Sequence, residues 1–600
     1  MHGVNVNFSP MVDLVRDSRW GRVMESIGGE DPYLGQVFGE TMVKAHKDVK
    51  IDGNDGMISC VKHFAAYGAA EGGRDYNTVD MSEREFRQYY LPAYKKAINI
   101  GAEMIMTSFN IVNGIPATVN KWLLKDLLRK ELNFKGIVIS DYSAIEETIE
   151  HGVSKNKKDA AYKAITAGVD IDMMSDVYSN NLKQLVQEKK ISEKIIDESV
   201  FRILKLKNDL GLFENPYKNL DDEMEKKTLL NKENCDKARE LTAKTFVLLK
   251  NNNILPLNKK QKIALIGPYA DNIAILGSWS MFSDKEKIKT LKEAFQNKIG
   301  KENIVYAKGS EILEEKDINQ ILQADGGNVI HIENEKEKLE EYIKEAISVA
   351  KQVDVIVLGI GEHYRQSGEA CSRANIEISD IQKKLLKEIE EHVDALLEVW
   401  FPGTEGANAI ADVVFGDINP SGKMTMSFPQ ATGQCPIYYN HYNTGRPHNS
   451  DVRYVSRYQD IPTESFYPFG YGLSYSKFIY SCLKLSSKIL TCDSKITVSV
   501  KIKNDSNIKG EEVVQLYIQD LTASVVRPVK ELKAFKKISL LPNEEREVVF
   551  EIREEMLRFW NENLEFVSEE GEFKVFIGTS SENVLVDTFL LKLTESISKK

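Results

Sequence analysis

The stretch FKGIVISDYSAIEE, residues Phe134 to Glu147, decides how the rest of the chain is read. Its apolar run Ile137-Val138-Ile139-Ser140 follows Gly136 and ends on a lone charge, Asp141. A run of this kind predicts a strand buried on both faces. An amphipathic segment is expected after it. Where strands alternate with helices, a carboxylate at the carboxyl end of a buried strand is where catalytic groups sit. The plainer alternative is an aspartate that N-caps the next helix.

The same alternation extends outward from this stretch. Strands are expected at Gly3 to Phe8, Ser59 to Phe64, Glu103 to Phe109 and Val169 to Met174. Helical periods fall at Pro32 to Lys47, Ser82 to Ile98, Lys121 to Leu132, Asp159 to Ala167 and Ser192 to Leu210. Alternation means a parallel sheet, open or closed into a barrel. Five strands are legible where a closed barrel needs eight.

Beyond this region, 214–232 is polar, carries Pro216 and reads as a linker. A helix at Asn234 to Leu249 then leads into a second α/β region with strands at Lys262 to Gly267, Val353 to Gly361 and Ala395 to Trp400. The glycine loop Pro402-Gly403-Thr404-Glu405-Gly406 lacks the following Lys-Ser/Thr of a phosphate cradle, so it reads as a strand-to-helix turn. Residues 437–477, rich in Tyr, Asn, Gly and Pro, show no period and form an irregular connection. After Phe478 the period becomes two: Val498, Val500 and Ile502, then Val514, Leu516 and Ile518, with the turn Leu541-Pro542-Asn543. That pattern predicts a β-sandwich.

At 600 residues the chain is too long for one core. Its net charge of −11, with cations scattered, argues against nucleic-acid or anionic-membrane partners. No apolar run reaches a membrane-spanning length of about 20 residues. MHGVNVNFSP does not have the make-up of a signal peptide. The six cysteines are dispersed, neither a zinc site nor a disulfide framework, which suits a reducing cytoplasm. No residue spacing calls for a metal or cofactor.

Four polar clusters fall at expected strand ends or in the loops after them: RWGR (Arg19 to Arg22), KHF (Lys62 to Phe64) with EGGRDYN after it, MTSFN (Met106 to Asn110), and SDY (Ser140 to Tyr142). Arg, Lys and His suit vicinal hydroxyls, and Tyr142 or Phe109 can cover an apolar sugar face. Each has a bland counterpart: Lys62 ion-paired to a strand-end acid, His63 a satisfied core histidine, Met106 core filling.

The longer text RWGRVMES…GEDPYL, KHFAAYGAAEGGRDYNTVDMS, NGIPAT, WLLKDLLR, FKGIVISDY, WFPGTEGANAIADVVFGDINPSGKMTMSFP, YPFGYGLSY and RPVKELKAFKKI resembles glycoside hydrolase family 3, most closely its bacterial periplasmic β-glucosidase branch. The resemblance implies an incomplete (β/α)₈-type barrel over 1–213, an α/β sandwich over 233–436 and a fibronectin type III-like domain over 478–595. It implies a retaining exo-acting β-glucosidase needing no cofactor, with Asp141 as nucleophile and Glu369, in the loop GEHYRQSGEACSRA, as acid/base. Glu362 in the same loop is the fallback. Sugar contacts carry over to Arg22, Lys62, His63 and Met106, with Tyr142 as an aromatic wall; Lys62 and Arg22 would keep the nucleophile ionised by proximity. Expected partners are small β-glucosides or oligosaccharides, with a homodimer as the candidate assembly.

Departures from the family pattern are also expected. Relatives carry a segment ahead of HGVNVNFSP with the first barrel strands and a sugar-binding Asp, and a further strand and helix after Glu391. Phe109 stands where relatives often place a Tyr bonded to the nucleophile, and Gly28-Gly29 is a doubled glycine. The alternatives are a β-xylosidase or other β-glycosidase of the family, or a catalytically impaired remnant or sugar-binding subunit. The N-acetylglucosaminidase branch is disfavoured, because its His-containing loop has no counterpart.

Overall fold

The computed structural model describes residues 3–48, 56–218, 220–280, 283–324, 326–389, 392–449 and 451–593. The expected junction after Glu391 falls on 390–391, outside the described residues. The chain divides into two compact units, Met1–Leu229 with Phe559–Val567, and Leu230–Arg558 with Ser568–Lys600.

In the first unit a parallel sheet runs in the order Val6–Asn7, Ile58–Phe64, Met104–Thr107, Ile137–Ile139. A parallel bridge from Ile139 to Ile171 adds a fifth position. All five overlap the runs expected to hold them, the second beginning one residue early at Ile58. Ile58, Cys60, Met104, Met106, Ile137 and Ile139 share one apolar cluster with Leu210. The alternating residues Val61, Ile105 and Val138 are fully buried too, so both faces of the sheet are covered, as unbroken apolar runs require. Gly136 is needed at the start of its strand because a Cβ there would lie 2.2 Å from the Glu103 carbonyl oxygen.

One ionic knot ties the Asp141 strand to its neighbour. The Asp170 carboxylate, with no side-chain exposure, takes Arg129 at 2.8 Å, Arg202 at 2.7 Å, the Ser199 hydroxyl at 2.9 Å and the Val138 backbone N–H at 2.9 Å. Burial pulls the Arg129 guanidinium down to about 10, against the pull of Asp170.

Helices Pro32–Asp48, Pro92–Asn99, Lys157–Ala167 and Glu193–Asp209 lie where the period placed them, as does the π-wound Trp122–Glu131. A further helix, Val177–Gln187, went unforeseen; only Val177, Tyr178 and Leu185 of it are buried, too thin a face to show a period. No helix begins at Asp141. Ser143 takes a left-handed φ of 57° and hands its N–H to Met173, and the chain reaches only a short 3₁₀ turn at Glu146–Thr148. The stretch read as a linker holds a helix, Asp222–Thr228. Asp221 caps it, acids fill its first turn and Lys226 and Lys227 its last, which is favourable dipole chemistry hidden in a polar composition.

In the second unit the parallel strands Val355–Leu358, Ile263–Ile266 and Ile304–Ala307 form a sheet in that order. Helices Leu291–Ile299, Glu335–Ala350 and Asp380–Ile389 contribute to the apolar clusters around its strands. The helix expected to run to Leu249 stops at Thr245. The fully apolar Val247-Leu248-Leu249 instead opens a strand paired antiparallel with Ala395–Glu398. The C-terminal part is a two-sheet sandwich, Phe478–Leu485/Ile496–Asn504/Glu545–Ile552 against a five-stranded sheet centred on Gly510–Asp520 and Gly571–Gly578. The inward residues Val498, Val500, Ile502, Val514, Leu516 and Ile518 form its core.

Candidate active site

The strand Ile58–Phe64 is paired through Cys60 to Met104, and Met104 to Ile137, so the residues after these strands gather at one end of the sheet. Asp141 stands two residues after its strand ends at Ile139 and is 7% exposed. Its Oδ1 accepts the Tyr142 N–H at 2.7 Å. Its Oδ2 is buried and accepts no hydrogen bond; His63 Nε2 stands 3.5 Å away. The capping alternative is thereby excluded, since the carboxylate serves no helix.

His63 is 1% exposed and fully engaged. Its Nδ1 lies 2.9 Å and its backbone N–H 3.0 Å from Asp13 Oδ2, and its Nε2 lies 3.0 Å from Arg22 Nη2. Arginine offers only donors, so Nε2 is the acceptor and the ring proton sits on Nδ1, an assignment made from the hydrogen-bond partners. Arg22 also grips Glu25 through two bonds, 2.8 and 3.1 Å, and Lys62 Nζ lies 3.7 Å from the same carboxylate. The two cations expected to support Asp141 are therefore shared with Glu25. The peptide bonds Lys62–His63 and Phe64–Ala65 at this strand end are both cis.

Aromatic rings wall the same end. Trp20, fully buried, donates its indole N–H to Asp75 at 2.8 Å and meets Tyr67 edge-on at 5.0 Å. Tyr67 lies 5.3 Å from His63 and 5.8 Å from Phe109, and Phe109 lies 5.1 Å from Tyr76. Phe109 has no hydroxyl to offer. Tyr142 is 57% exposed. Met106 is 2% exposed within the apolar cluster of the strands.

Asp13, Glu25, Tyr94 and Tyr67 were not picked out from sequence. Asp13 had the same signature as Asp141, one acid in an apolar run, Met11-Val12-Asp13-Leu14-Val15. Glu25 sits three residues after Arg22, within one helical turn of it.

In the second unit, Gly267 (φ 117°) and Gly359 let two strand ends approach closely; a Cβ on Gly267 would lie 2.4 Å from the Gly359 oxygen. The loop Gly361 to Arg373 leaves the carboxyl end of this sheet, where open α/β sheets place ligands. Tyr269 anchors it by donating to the Glu362 carbonyl. Glu362 is ion-paired with Arg373, and its side chain is 35% exposed. Burial pushes its carboxyl up, Arg373 pulls it back, and the charge of Glu398 adds to the rise. Glu369 is half-buried, followed by Ala370 in a left-handed conformation, and its carbonyl accepts from the Cys371 thiol at 3.1 Å. Among the described residues no group of three His, Cys, Asp or Glu is arranged to hold a metal ion. None of the described helices is long and apolar enough to cross a membrane.

Comparison with known proteins agrees with this architecture. The glycosyl hydrolase family 3 N-terminal domain matches residues 1–206. The family's C-terminal domain matches 246–392 and 387–475, two stretches that meet at the expected internal gap. A fibronectin type III-like domain matches 512–581. The chain is 42% identical to the periplasmic beta-glucosidase of Salmonella typhimurium, over 98% of this chain and 80% of that protein.

The chain belongs to glycosyl hydrolase family 3.

This family 3 chain is also 35% identical to a putative beta-xylosidase of Formosa agariphila, over 99% of its own length and 78% of the other. Its fold matches that of a beta-glucosidase mutant from Listeria innocua in complex with laminaribiose, with a TM-score of 0.90 and 45% identity, covering 98% of this chain and 82% of that one. The chain is thus a glycoside hydrolase built from a barrel-type domain, an α/β sandwich and a fibronectin-like sandwich, as the motifs implied.

Proposed function

We propose that this chain is a retaining, exo-acting β-glucosidase that removes terminal non-reducing β-D-glucosyl residues. Asp141 is the nucleophile and Glu369 the acid/base. The observation that carries this reading is the Asp141 carboxylate, one oxygen held by its neighbour's N–H and the other buried and unmet beside His63. A nucleophile needs a fixed oxygen with its lone pairs uncommitted, and water excluded from it.

In the first step Asp141 Oδ2 attacks the anomeric carbon as Glu369 gives its proton to the departing glycosidic oxygen. The resulting glycosyl–Asp141 ester is then hydrolysed by water, from which Glu369 removes a proton, and the configuration is retained. Arg22 and Lys62 donate to the sugar hydroxyls, His63, its two ring nitrogens taken by Asp13 and Arg22, holds Arg22 in place, and Tyr142 stacks on the sugar's apolar face. Glu369 is preferred to Glu362 because the resemblance of the loop GEHYRQSGEACSRA to family 3 implies the acid/base at that position. The upward-shifted Glu362 carboxyl keeps it the second candidate.

Glucosides are favoured over xylosides by the higher identity to the Salmonella enzyme, 42% against 35%. The Listeria relative, bound to laminaribiose, supports short β-glucans as substrates. All six cysteines stand as thiols, which favours a reducing cytoplasm. The periplasmic relative favours export; cell fractionation decides between them.

The reading is tested with aryl β-glucosides and β-xylosides. Asp141→Ala is expected to abolish turnover, and Glu369→Ala to be rescued by azide on substrates with good leaving groups. Turnover unaffected by Asp141→Ala refutes the nucleophile. Azide rescue in Glu362→Ala alone moves the acid/base role there. A higher kcat/KM on the xyloside overturns the substrate assignment.

A further inference from the structure

Beside His63 lies a carboxylate the mechanism does not use, Asp13, with 0% of its side chain exposed. Three short contacts surround it. Oδ2 accepts the His63 backbone N–H at 3.0 Å and the ring at Nδ1 at 2.9 Å. Oδ1 lies 2.7 Å from the Tyr94 hydroxyl, which also lies 2.6 Å from the His63 carbonyl oxygen. Tyr94 is 1% exposed; burial, with Asp13's charge beside it, pushes its phenol well up, so it stays a donor. A carboxylate enclosed this way, with no exposure of its own, has the geometry of a support for His63.

We infer that Asp13, seated by Tyr94, is a positioning residue that keeps the His63 proton on Nδ1 and thereby leaves the Asp141 oxygen uncommitted. With the proton on Nδ1, Nε2 has only a lone pair, which takes the Arg22 N–H at 3.0 Å and offers nothing to Asp141 Oδ2 at 3.5 Å. With the proton on Nε2, the ring would present an N–H to both neighbours. It would collide electrostatically with the Arg22 donor and bond the Asp141 oxygen that should attack. Asp13 selects the first state because a carboxylate only accepts. This inference rests on the reading of Asp141 as nucleophile.

The substitutions separate orientation from charge. Asp13→Ala removes both acceptors and is expected to lower kcat/KM on aryl β-glucosides about a hundredfold, the scale of a small misplacement of site groups. Asp13→Asn can turn its carbonyl to both His63 N–H groups and its amide to the Tyr94 oxygen. It is therefore expected to recover most of the activity. Tyr94→Phe, which only loosens the seat of Asp13, is expected to cost less than Asp13→Ala and covers the case in which Asp13→Ala does not fold. On a His63→Ala background, Asp13→Ala should add little, because a residue acting through His63 has nothing left to position.

Folded Asp13→Ala with unchanged kcat/KM overturns the inference. So does an Asp13→Asn as impaired as Asp13→Ala, or a full additional loss on the His63→Ala background. Asp141→Ala, run alongside, separates the two readings: if it stays active the nucleophile is wrong. If it is inactive while Asp13→Ala is not, only the role of Asp13 falls.

Discussion

Replacing Asp170 tests whether the strand that delivers Asp141 is held by the knot beneath it. Asp170 has no side-chain exposure and accepts four bonds, from Arg129, Arg202, Ser199 and the Val138 N–H. Breaking a buried ion pair from one side costs about 3–5 kcal/mol, because the partner's charge stays behind. Arg202, whose side chain is 26% exposed with Glu198 already 3.9 Å away, can turn outward and recover part of that. Arg129, 15% exposed, is tied to the Phe134 and Gly136 carbonyls and cannot leave. Asp170→Ala should therefore cost about 3–4 kcal/mol, the lower part of that range. Urea unfolding of the whole chain measures the loss, and amide exchange localises it. The Val138 N–H loses its acceptor and should exchange far faster, with kcat falling because Asp141 follows that strand. A loss below about 1 kcal/mol, of the size of one ordinary hydrogen bond, with Val138 still protected, would refute the knot as the strand's anchor.

Two more outcomes are expected elsewhere in the chain. In the sandwich, burial pushes the Asp520 carboxyl up to about 6, with Arg527 opposing and Glu531 and Glu569 adding; its Oδ2 is buried and unmet. An acid raised on folding gives stability that is complete below about pH 4 and lost as pH rises through about 6. Asp520→Asn should thus stabilise by about 2–3 kcal/mol at pH 8 and hardly at all at pH 4, read by thermal melting; equal effects at both pH values rule out the shift. In the first unit, Trp560 donates its backbone N–H to Gln88 at 3.0 Å and lies under Arg87 at 5.0 Å. Trp560→Ala, losing a half-buried ring and its cation contact, should cost about 1–2 kcal/mol by urea melting, and an unchanged midpoint would show that the ring contributes nothing.

The strand framework was legible because a parallel strand buried on both faces leaves an uninterrupted apolar run, as Ile58–Val61, Met104–Met106 and Ile137–Ile139 show; the outer positions at Val6–Asn7 and Ile171 are only half-buried and alternate with Asn or Asp. Asp141, Arg22, Lys62 and His63 were legible as polar residues at or just beyond those runs, and the structure brings them to one end of the sheet. What could not be read was which polar group meets which. Asp13 and His63 are fifty residues apart, and nothing local to either reports the other. The helix Asp222–Thr228 was hidden for another reason: caps and dipole-matched charges stabilise it, and no apolar stripe does. Val247 to Leu249 carried a helix's length of apolar context but a strand's fate, decided by a partner strand about 150 residues later.

The hairpin of Phe559–Trp560 with Phe566–Val567 belongs to the first unit although its chain neighbours belong to the second. The order of synthesis then matters. A ribosome finishes residue 229 about 330 residues before it reaches the hairpin, an interval of roughly 15–65 s at ordinary elongation rates. Throughout that interval the Arg87 and Gln88 surface waits without its last piece. A truncation anywhere before residue 559, even one that spares every residue of the candidate site, therefore leaves the first unit unfinished.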